Sequence, residues 1–452
     1  MPSLYLSGSR TLSENEEKVK RTKIIAYKKK EFSEGEIREE MERIKEDCQC
    51  DVQNLPHVGV FVLTYQSSFL KASSRMSLID KKEVGEDDVT VGLLNHIDTR
   101  RIPSDPFFPF QWALQTLENN ADISMPAGWN EFLHGKSCGD PRYDVTVAVI
   151  DTGIDYNHPD LSPMMWRNPN EIPDNGLDDD GNGLIDDVYG ADYTLNPPTG
   201  DPMERDPTWN GYGHGTHCAG IIAAKEENGQ GVAGVASYAE GKIKLMALKG
   251  LSAETGAVSG LFKSLEYAIA NNATISSNSW GTPCNADSCY SLTENMERLW
   301  KTVLRNNPDH LFITAAGNDN VEINNNYRPL TCGIQEPNLL CVASSTDQNE
   351  RSSFSNYGED YVHVFAPGSR IASTFPNNGY VYMSGTSMAC PHVSGLAALV
   401  RAMRNDFSGK DVKDLIESNV VQKPVYSTLV NTGGIIDAEK TLKAARISGM
   451  IN

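Results

Sequence analysis

Residues 385–395 read Gly-Thr-Ser-Met-Ala-Cys-Pro-His-Val-Ser-Gly and lead directly into the apolar run 396–400. Ser387 follows two small residues and precedes a strongly helical pattern, so we expect it at the N-terminus of a buried helix. Unpaired amides and the helix dipole favour negative charge there. This position suits a serine that attacks a carbonyl and leaves an oxyanion beside it. The alternative is an N-cap serine before an ordinary core helix.

Two other glycine-flanked motifs carry groups that could activate this serine. Asp151 ends the apolar run 145–150, and His214 lies in the segment Gly-His-Gly-Thr-His-Cys-Ala-Gly at 213–220. A histidine can take the proton of a serine hydroxyl, and a carboxylate fixes the tautomer of the imidazole and stabilises the imidazolium. The chain order Asp, His, Ser is one of the known orders of such a triad. We therefore predict that Asp151, His214 and Ser387 form a catalytic triad.

The three motifs resemble those of the subtilisin-like serine proteases, the subtilases, from about residue 105 to the C-terminus. The resemblance implies an endopeptidase that hydrolyses peptide bonds through an acyl-enzyme on Ser387. The segment 315–318 resembles the oxyanion segment of that family, so Asn318 would donate its side-chain amide to the tetrahedral intermediate. The segment 279–281 resembles the family's substrate-pairing strand. The resemblance thus implies four substrate-binding residues: Ser279, Trp280, Gly281 and Gly317.

Apolar runs of strand length alternate with helical patterns in the second part of the chain. We predict strands at 145–150, 244–248, 275–279 and 311–315, and helices at 215–224, 260–271 and 292–306. This alternation predicts an α/β fold with a parallel sheet flanked by helices. In such sheets ligands bind at the carboxyl ends of the strands, and the candidate residues Asp151, Ser279 and Asn318 fall at those ends.

The first hundred residues have a different composition and predict a separate small domain. Residues 1–21 are polar and charged and read as a disordered lead-in. Residues 22–100 predict strands at 23–27, 58–65 and 89–94 and helices at 36–47 and 69–79, an α+β module of the ferredoxin-like type. Residues 101–104 form a linker, and 105–452 the catalytic domain.

The position of the small domain is similar to that of the subtilase propeptide. The resemblance implies a zymogen whose own propeptide is an intramolecular inhibitor and folding aid, with self-cleavage between about 95 and 103. An independent binding module is the alternative.

An acidic segment at 174–187 reads Asp-Asn-Gly-Leu-Asp-Asp-Asp-Gly-Asn-Gly-Leu-Ile-Asp-Asp. Counted from 178, side-chain oxygens fall at positions one, three, five and nine of an EF-hand-like loop, and Gly183 falls at position six, where that loop turns sharply. The predicted calcium ligands are Asp178, Asp180, Asn182 and Asp186, with Glu171 and Asp174 completing the shell or holding a second ion. The alternative is a solvated acidic loop. The resemblance to subtilases implies a second calcium site at Asp105, Asp160 and Asn228.

Two pairs of cysteines bracket short polar loops, Cys284 with Cys289 and Cys332 with Cys341, and this spacing predicts two disulfides on the surface. Metal ligation is the competing interpretation, but the chain has no CxxC pair. Near the active-site motifs, Cys218 and Cys390 could form a bridge or remain buried thiols, and we expect thiols. For the remaining cysteines, Cys48, Cys50 and Cys138, the pattern predicts no partner.

Charge and cysteine usage limit the partners and the compartment. The net charge of −20 argues against nucleic acid or an anionic membrane, and no apolar run has the length of a membrane helix. Disulfides imply an oxidising compartment. Met1–Arg10 lacks the basic start and apolar centre of a signal peptide, so either the sequence is truncated or the protein is not secreted. Because of the disulfides, we expect a secreted or secretory-organelle protein whose signal is missing from this sequence.

We expect a monomer that acts on proteins or peptides. A catalytically silent subtilase-like scaffold and a calcium-dependent adhesion protein are the alternatives to a protease.

Overall fold

The structure is a computed structural model that describes part of the 452-residue chain. The described residues are 20–26, 51–55, 60–66, 102–116, 119–137, 142–205, 207, 211–239, 241–252, 258–282, 284 and 291–448. The chain divides into two compact units, Met1–Asp98 with Ser137–Gly139, and Thr99–Lys136 with Asp140–Asn452.

In the N-terminal unit the described residues form one antiparallel sheet. Its strands are β1 (Lys20–Ala26), β2 (Asp51–Leu55) and β3 (Val60–Gln66), in the order β1-β3-β2. Strands β1 and β3 fall close to the predicted positions, whereas β2 was not predicted. The predicted helices at 36–47 and 69–79, the strand at 89–94 and most of the lead-in lie outside the described residues.

A nine-stranded sheet forms the centre of the second unit. Its members, in chain order, are β4 (Val145–Asp151), β5 (Gly190–Asp192), β6 (Ile243–Lys249), β7 (Ile275–Asn278), β8 (Leu311–Ala315), β9 (Leu339–Ser345), β10 (Val364–Pro367), β13 (Val421–Gln422) and β14 (Gly434–Ile435). The spatial order is β13-β14-β10-β9-β8-β7-β4-β6-β5. All neighbours are parallel except β13, which pairs antiparallel with β14. A separate hairpin consists of β11 (Ile371–Phe375) and β12 (Gly379–Met383).

Seven described α-helices accompany this sheet. They are α1 (Met125–Ser137), α2 (His214–Ala223), α3 (Val258–Ala270), α4 (Glu294–Asn306), α5 (Thr386–Met403), α6 (Gly409–Ser418) and α7 (Ala438–Ser448). None of the helices in the described part of the chain combines the length and the apolar character that a membrane crossing requires.

The sheet buries both of its faces, as strand β4 shows. Successive side chains of a strand point to opposite faces. Accordingly Val147 and Val149 pack in a core shared with α2 and α5, and Ala148 and Ile150 pack in a second core shared with α3 and α4. Because both faces are covered, the strand is a continuous apolar run. The predicted parallel sheet flanked by helices is thereby confirmed.

The cysteines of the described region form one complete disulfide and two free thiols. Cys332 and Cys341 are bonded to each other, and Cys218 and Cys390 are free and buried, as predicted. The position of the disulfide differs from the prediction: both of its residues are 0% exposed, since Cys341 belongs to the buried strand β9. Cys284 is disulfide-bonded.

Four other cysteines for which we made a prediction, Cys48, Cys50, Cys138 and Cys289, lie outside the described residues.

Candidate active site

Asp151 is the last residue of β4, at the carboxyl end of the sheet, and its side chain is 1% exposed. Its Oδ1 accepts a hydrogen bond from the Thr152 backbone amide at 2.8 Å. The same oxygen lies 2.7 Å from Nδ1 of His214. An imidazole that donates from Nδ1 has its lone pair on Nε2, so this contact selects the tautomer that a general base requires.

His214 is the first residue of α2, and the turn before it depends on glycine. Gly213 has φ of +83°, in the left-handed region that glycine adopts readily. A Cβ at this position would also lie 2.0 Å from the ring of Phe375, in the β11–β12 hairpin. The hairpin therefore packs directly against the residue that orients the histidine.

The environment of His214 changes its basicity. Burial by itself lowers the pKa of His214, but the Asp151 carboxylate and the Cys218 thiol raise it, and the result is a pKa well above the ordinary value. The side chain keeps 25% of its surface accessible. A partly open imidazole beside a buried carboxylate has the properties of a proton acceptor that can meet a substrate.

Ser387 lies in the first turn of α5 and is the only residue of this 18-residue helix that is not buried. Pro391 lies inside the same helix. A proline has no N–H, so the carbonyl of Ser387, four residues earlier, lacks its helical partner. That carbonyl instead accepts from the Ser279 hydroxyl at 3.0 Å and from Sγ of Cys218 at 3.3 Å. The proline of the motif thus connects the serine to Ser279, the residue that follows β7, and to α2.

The hydroxyl of Ser387 donates to the backbone carbonyl of Ser279 at 3.1 Å. Among the described residues, no hydrogen bond joins this hydroxyl to His214. The two residues are nevertheless neighbours, because Sγ of Cys218 lies 3.3 Å from the Ser387 carbonyl and 4.0 Å from Nδ1 of His214. The carboxylate and the imidazole are therefore paired, whereas the serine must turn its hydroxyl away from Ser279 to join them. Such hydrogen bonds often tighten only when substrate binds.

Asn318 is exposed at the end of the segment that follows β8. Its Oδ1 accepts from the backbone amide and from the hydroxyl of Thr386, at 2.8 and 2.9 Å. A backbone amide can only donate, so the atom facing it must be the amide oxygen, and Nδ2 points elsewhere. Thr386, which the sequence analysis did not single out, therefore turns the Asn318 NH₂ group away from itself, and among the described residues this group has no acceptor.

The candidate substrate-binding residues divide into accessible and buried groups. Gly281 is exposed and Gly317 is half-buried. Trp280 is 9% exposed, and its Nε1 donates to the carbonyl of Ile150 at 3.0 Å. The indole therefore anchors the end of β4. Ser279 is buried as well, at 4% exposed, so Gly281 and Gly317 are the accessible members of the set.

The acidic segment brings three predicted metal ligands together. Carboxylate oxygens of Glu171, Asp178 and Asp180 all lie within 4.8 Å of one another. Asp178 accepts three backbone amides, from residues 181, 182 and 183, at 2.8 to 3.1 Å. Oε2 of Glu171 is buried without a hydrogen-bond partner. An unpaired buried carboxylate oxygen beside two other carboxylates fits a hard cation such as calcium.

The other predicted ligands of this loop have different surroundings. Both carboxylate oxygens of Asp186 accept backbone amides, from Asn175 at 3.1 Å and Gly176 at 3.0 Å. The neighbour Asp187, which was not predicted, is fully buried, and its Oδ2 accepts from Nδ2 of Asn182 at 2.9 Å. Burial raises the pKa of Asp187. Asp187 therefore belongs to the inner side of the cluster, and Asp186 supports the turn at 175–176. For the predicted ligand Asp174, the structure gives a positive φ of 60°.

The second set of predicted metal ligands is also brought together. Asp105 and Asp160 are 1% and 0% exposed. Nδ2 of Asn228 donates to Asp160 at 2.7 Å, and the Asn228 backbone amide lies 3.3 Å from the Asp105 carboxylate. Burial, together with the charge of Asp160, raises the pKa of Asp105. Two buried carboxylates that accept from the same asparagine repel each other, and a cation between them would relieve this repulsion.

Comparisons with known proteins agree with this geometry. Residues 142–440 match a sequence profile described as the subtilase family. The chain is 34% identical over 309 residues to subtilisin-like protease 1 of Plasmodium berghei, covering 66% of this chain and 49% of that protein. It is 32% identical over 361 residues to subtilisin-like protease 1 of Plasmodium falciparum, covering 76% of this chain and 48% of that protein.

A bacterial relative and a solved structure extend the comparison. The thermophilic serine proteinase of a Bacillus species is 32% identical over 287 residues, covering 62% of this chain and 58% of that protein. A solved protease structure from Pseudoalteromonas arctica has a TM-score of 0.57 at 25% identity, covering 76% of this chain and 99% of that one. The chain spans about half the length of these two Plasmodium proteins. Since the family profile covers the sheet, the paired Asp151 and His214, and Ser387, the chain belongs to the subtilase family.

Proposed function

We propose that this chain is a serine endopeptidase that hydrolyses peptide bonds through an acyl-enzyme on Ser387. The observation that carries the proposal is the 2.7 Å contact between Asp151 and His214, next to a serine at a helix N-terminus. Membership of the subtilase family supports it. A silent scaffold would not require this pairing of a buried carboxylate with a partly open imidazole.

In the proposed reaction, Nε2 of His214 takes the proton of Ser387 as Oγ attacks the carbonyl carbon of the substrate. The imidazolium that forms is stabilised by the Asp151 carboxylate. Nδ2 of Asn318 and the backbone amide of Ser387 donate to the oxyanion of the tetrahedral intermediate. His214 then returns the proton to the leaving amine, and water hydrolyses the ester by the same steps.

The substrate is an extended peptide that pairs with the backbone of the segment 279–281, in which Gly281 is exposed. Main-chain hydrogen bonds of this kind bind any extended sequence. The buried indole of Trp280 holds that segment against β4. We propose that Gly281 and Gly317 leave the space that the substrate backbone occupies.

Labelling with a fluorophosphonate tests the catalytic part of the proposal. The reagent phosphonylates an activated serine, and we expect the wild-type chain to be labelled and Ser387→Ala to remain unlabelled in gel fluorescence. Ser384→Ala is the matched control, because Ser384 is an exposed serine three residues away. Labelling that persists in Ser387→Ala and disappears in Ser384→Ala would overturn the assignment of the nucleophile.

Calcium is the proposed ligand of the two acidic clusters. The first cluster would be held by Glu171, Asp178 and Asp180, and the second by Asp105, Asp160 and Asn228. Bound calcium supplies positive charge that offsets the repulsion among these carboxylates and so stabilises the fold. The first cluster does not include Asp186, because in the described part of the chain the carboxylate oxygens that lie within 4.8 Å of one another are those of Glu171, Asp178 and Asp180.

Removing calcium is expected to lower the melting temperature. A site saturated at a hundredfold excess over its Kd contributes ~2.7 kcal/mol to the free energy of unfolding. Scanning calorimetry with and without a chelator measures the loss, and restored calcium serves as the control. The Asp178→Asn variant should lose part of the chelator effect and Asp160→Asn another part. A melting temperature that the chelator leaves unchanged would contradict both sites.

The N-terminal unit is proposed to be the propeptide of a zymogen. Its described part is an antiparallel sheet, and it precedes the subtilase unit in the chain. The proposal includes inhibition of the enzyme by this unit until self-cleavage between about 95 and 103.

The proposed compartment is extracellular or secretory, which the Cys332–Cys341 disulfide supports. The proposed state is a monomer that acts on proteins or peptides.

A further inference from the structure

A buried carboxylate outside the triad motifs lies between the two segments that carry Asp151 and His214. Glu204 is 5% exposed, although no motif in the sequence includes it. Its backbone amide approaches the carbonyl of Ile154 at 3.4 Å, beside a parallel bridge between Ile154 and Met203. The backbone of this residue is thus attached to the loop that follows Asp151.

The side chain of Glu204 accepts four hydrogen bonds. Oε1 accepts from the Thr152 hydroxyl at 2.6 Å and from the Gly213 amide at 2.7 Å. Oε2 accepts from the Thr216 hydroxyl at 2.5 Å and from the Thr216 amide at 3.2 Å. Two of these donors are backbone amides at the start of α2, where the N-cap residue offers no side-chain cap of its own. A carboxylate from another segment therefore caps the helix that begins with His214.

The direction of the two hydroxyl bonds is fixed by their other partners. The Thr152 hydroxyl accepts from the Gly215 amide at 2.9 Å, and the Thr216 hydroxyl accepts from the Asp155 amide at 2.9 Å. Each hydroxyl proton is left to point at Glu204, so all four contacts are donations to the carboxylate. The arrangement suits an ionised side chain and offers no acceptor for an amide NH₂ group.

Ionising the Glu204 carboxyl costs free energy at this buried position. Burial raises the pKa of Glu204 to about 7, and the nearby Asp151 carboxylate contributes in the same direction. A second negative charge next to the triad carboxylate does not by itself stabilise the folded state. Buried polar groups with perturbed pKa values concentrate at functional sites.

We propose that Glu204 is a positioning residue for the Asp151–His214 pair. Through Thr152 on one side and the first turn of α2 on the other, its carboxylate fixes the distance between the triad carboxylate and the imidazole. The inference rests on the proposed protease function, since the pair needs exact placement only if it moves a proton.

Two variants of Glu204 separate positioning from simple filling of space. Glu204→Gln keeps the shape but presents an NH₂ group to donors, whereas Glu204→Asp keeps the charge and shortens the reach. We expect Glu204→Gln to lower kcat for a peptide substrate ~10- to 100-fold, the size of loss that a misplaced catalytic group causes, with KM nearly unchanged. Glu204→Asp should retain more activity than Glu204→Gln. A residue that only fills space predicts the reverse order, which would overturn the inference.

Asp437→Asn is the matched control for stability. Asp437 is another buried carboxylate, 6% exposed, and it accepts from the amide of Lys440 at 2.8 Å at the start of α7. We expect this variant to lower the melting temperature without changing kcat. If Glu204→Gln likewise changes only the melting temperature, the role of Glu204 is structural and the inference is wrong.

A variant of Thr216 provides a second test that leaves Glu204 in place. Should Glu204→Gln fail to fold, Thr216→Val removes one of the two hydroxyl partners while keeping Glu204. We expect a several-fold loss of kcat for Thr216→Val, and an unchanged kcat would overturn the inference.

All variants are compared with the full wild-type chain. A wild type without Ser387-dependent hydrolysis would overturn the proposed function itself, whereas an active wild type with an equally active Glu204→Gln would overturn this inference alone.

Discussion

Ser387→Ala is expected to lower kcat for peptide hydrolysis by ~10⁶-fold, the size of loss seen when the nucleophile of a serine protease is removed. The reason is chemical: without Oγ no acyl-enzyme can form, and the paired Asp151 and His214 have no hydroxyl to activate. Binding should persist, because the segment 279–281 and Asn318 are unchanged. Initial rates on a chromogenic peptide, with enzyme concentration fixed by absorbance, measure the effect.

The same variant tests the zymogen proposal. If the N-terminal unit is removed by the chain's own triad, purified Ser387→Ala should keep its full length. The wild type should lose about its first hundred residues, because the proposed cut lies at the end of the first unit. Intact mass spectrometry gives the cut site directly. A wild-type chain that stays full length but hydrolyses peptides would contradict self-processing and leave the triad assignment intact.

The fold of Ser387→Ala should be nearly unaffected, which makes the variant a clean probe. The deleted hydroxyl makes one hydrogen bond, to the Ser279 carbonyl. A net contribution of ~1 kcal/mol is typical for such a bond. A melting curve close to that of the wild type therefore excludes misfolding as the cause of lost activity.

Sequence patterns predicted the central strands well because those strands are buried on both faces. The run 145–150 could be recognised by its continuous apolar character, and it corresponds to β4. The short strands and the β11–β12 hairpin had no such pattern. Strand β12, for example, has mostly half-buried residues, and its position depends on pairing with β11 and on a contact of the Val381 carbonyl with His217 of α2, which is far away in sequence.

Motif residues were predictable for a related reason: each motif is local, and its residues are adjacent in the chain. What the motifs could not show is the set of contacts that connect them. Glu204 joins the segments of Asp151 and His214 from a loop without any recognised pattern. The orientation of the Asn318 amide depends in the same way on Thr386.

Burial was the quantity that the sequence predicted least well. A short polar stretch between Cys332 and Cys341 suggested a surface disulfide, yet both cysteines are in the core. In the acidic segment, counting positions along an EF-hand-like loop did not single out Asp187, whose side chain is fully buried.

Asp151→Asn is expected to lower kcat by ~10,000-fold, the loss found when the triad carboxylate of a serine protease is replaced by its amide. An amide can present its NH₂ group to Nδ1 of His214, which then becomes the acceptor and leaves the proton on Nε2. Nε2 still faces Ser387, but because it carries the proton it cannot accept the proton of the serine hydroxyl. This loss should appear in kcat, since no part of the peptide-binding segment changes.

The pH profile of Asp151→Asn is a second, independent test of the coupling between Asp151 and His214. In the wild type the Asp151 carboxylate raises the pKa of His214, and the reaction needs neutral imidazole, so kcat/KM is lost as the pH falls through that raised pKa. Removing the negative charge lowers the pKa of His214, and the acidic limb of the residual activity should move to lower pH. Asp155→Asn is the matched control, because that carboxylate accepts from the amides of Asn157 and Asn377 and not from His214. A wild-type and an Asp151→Asn profile with the same acidic limb would contradict the proposed coupling of Asp151 to His214.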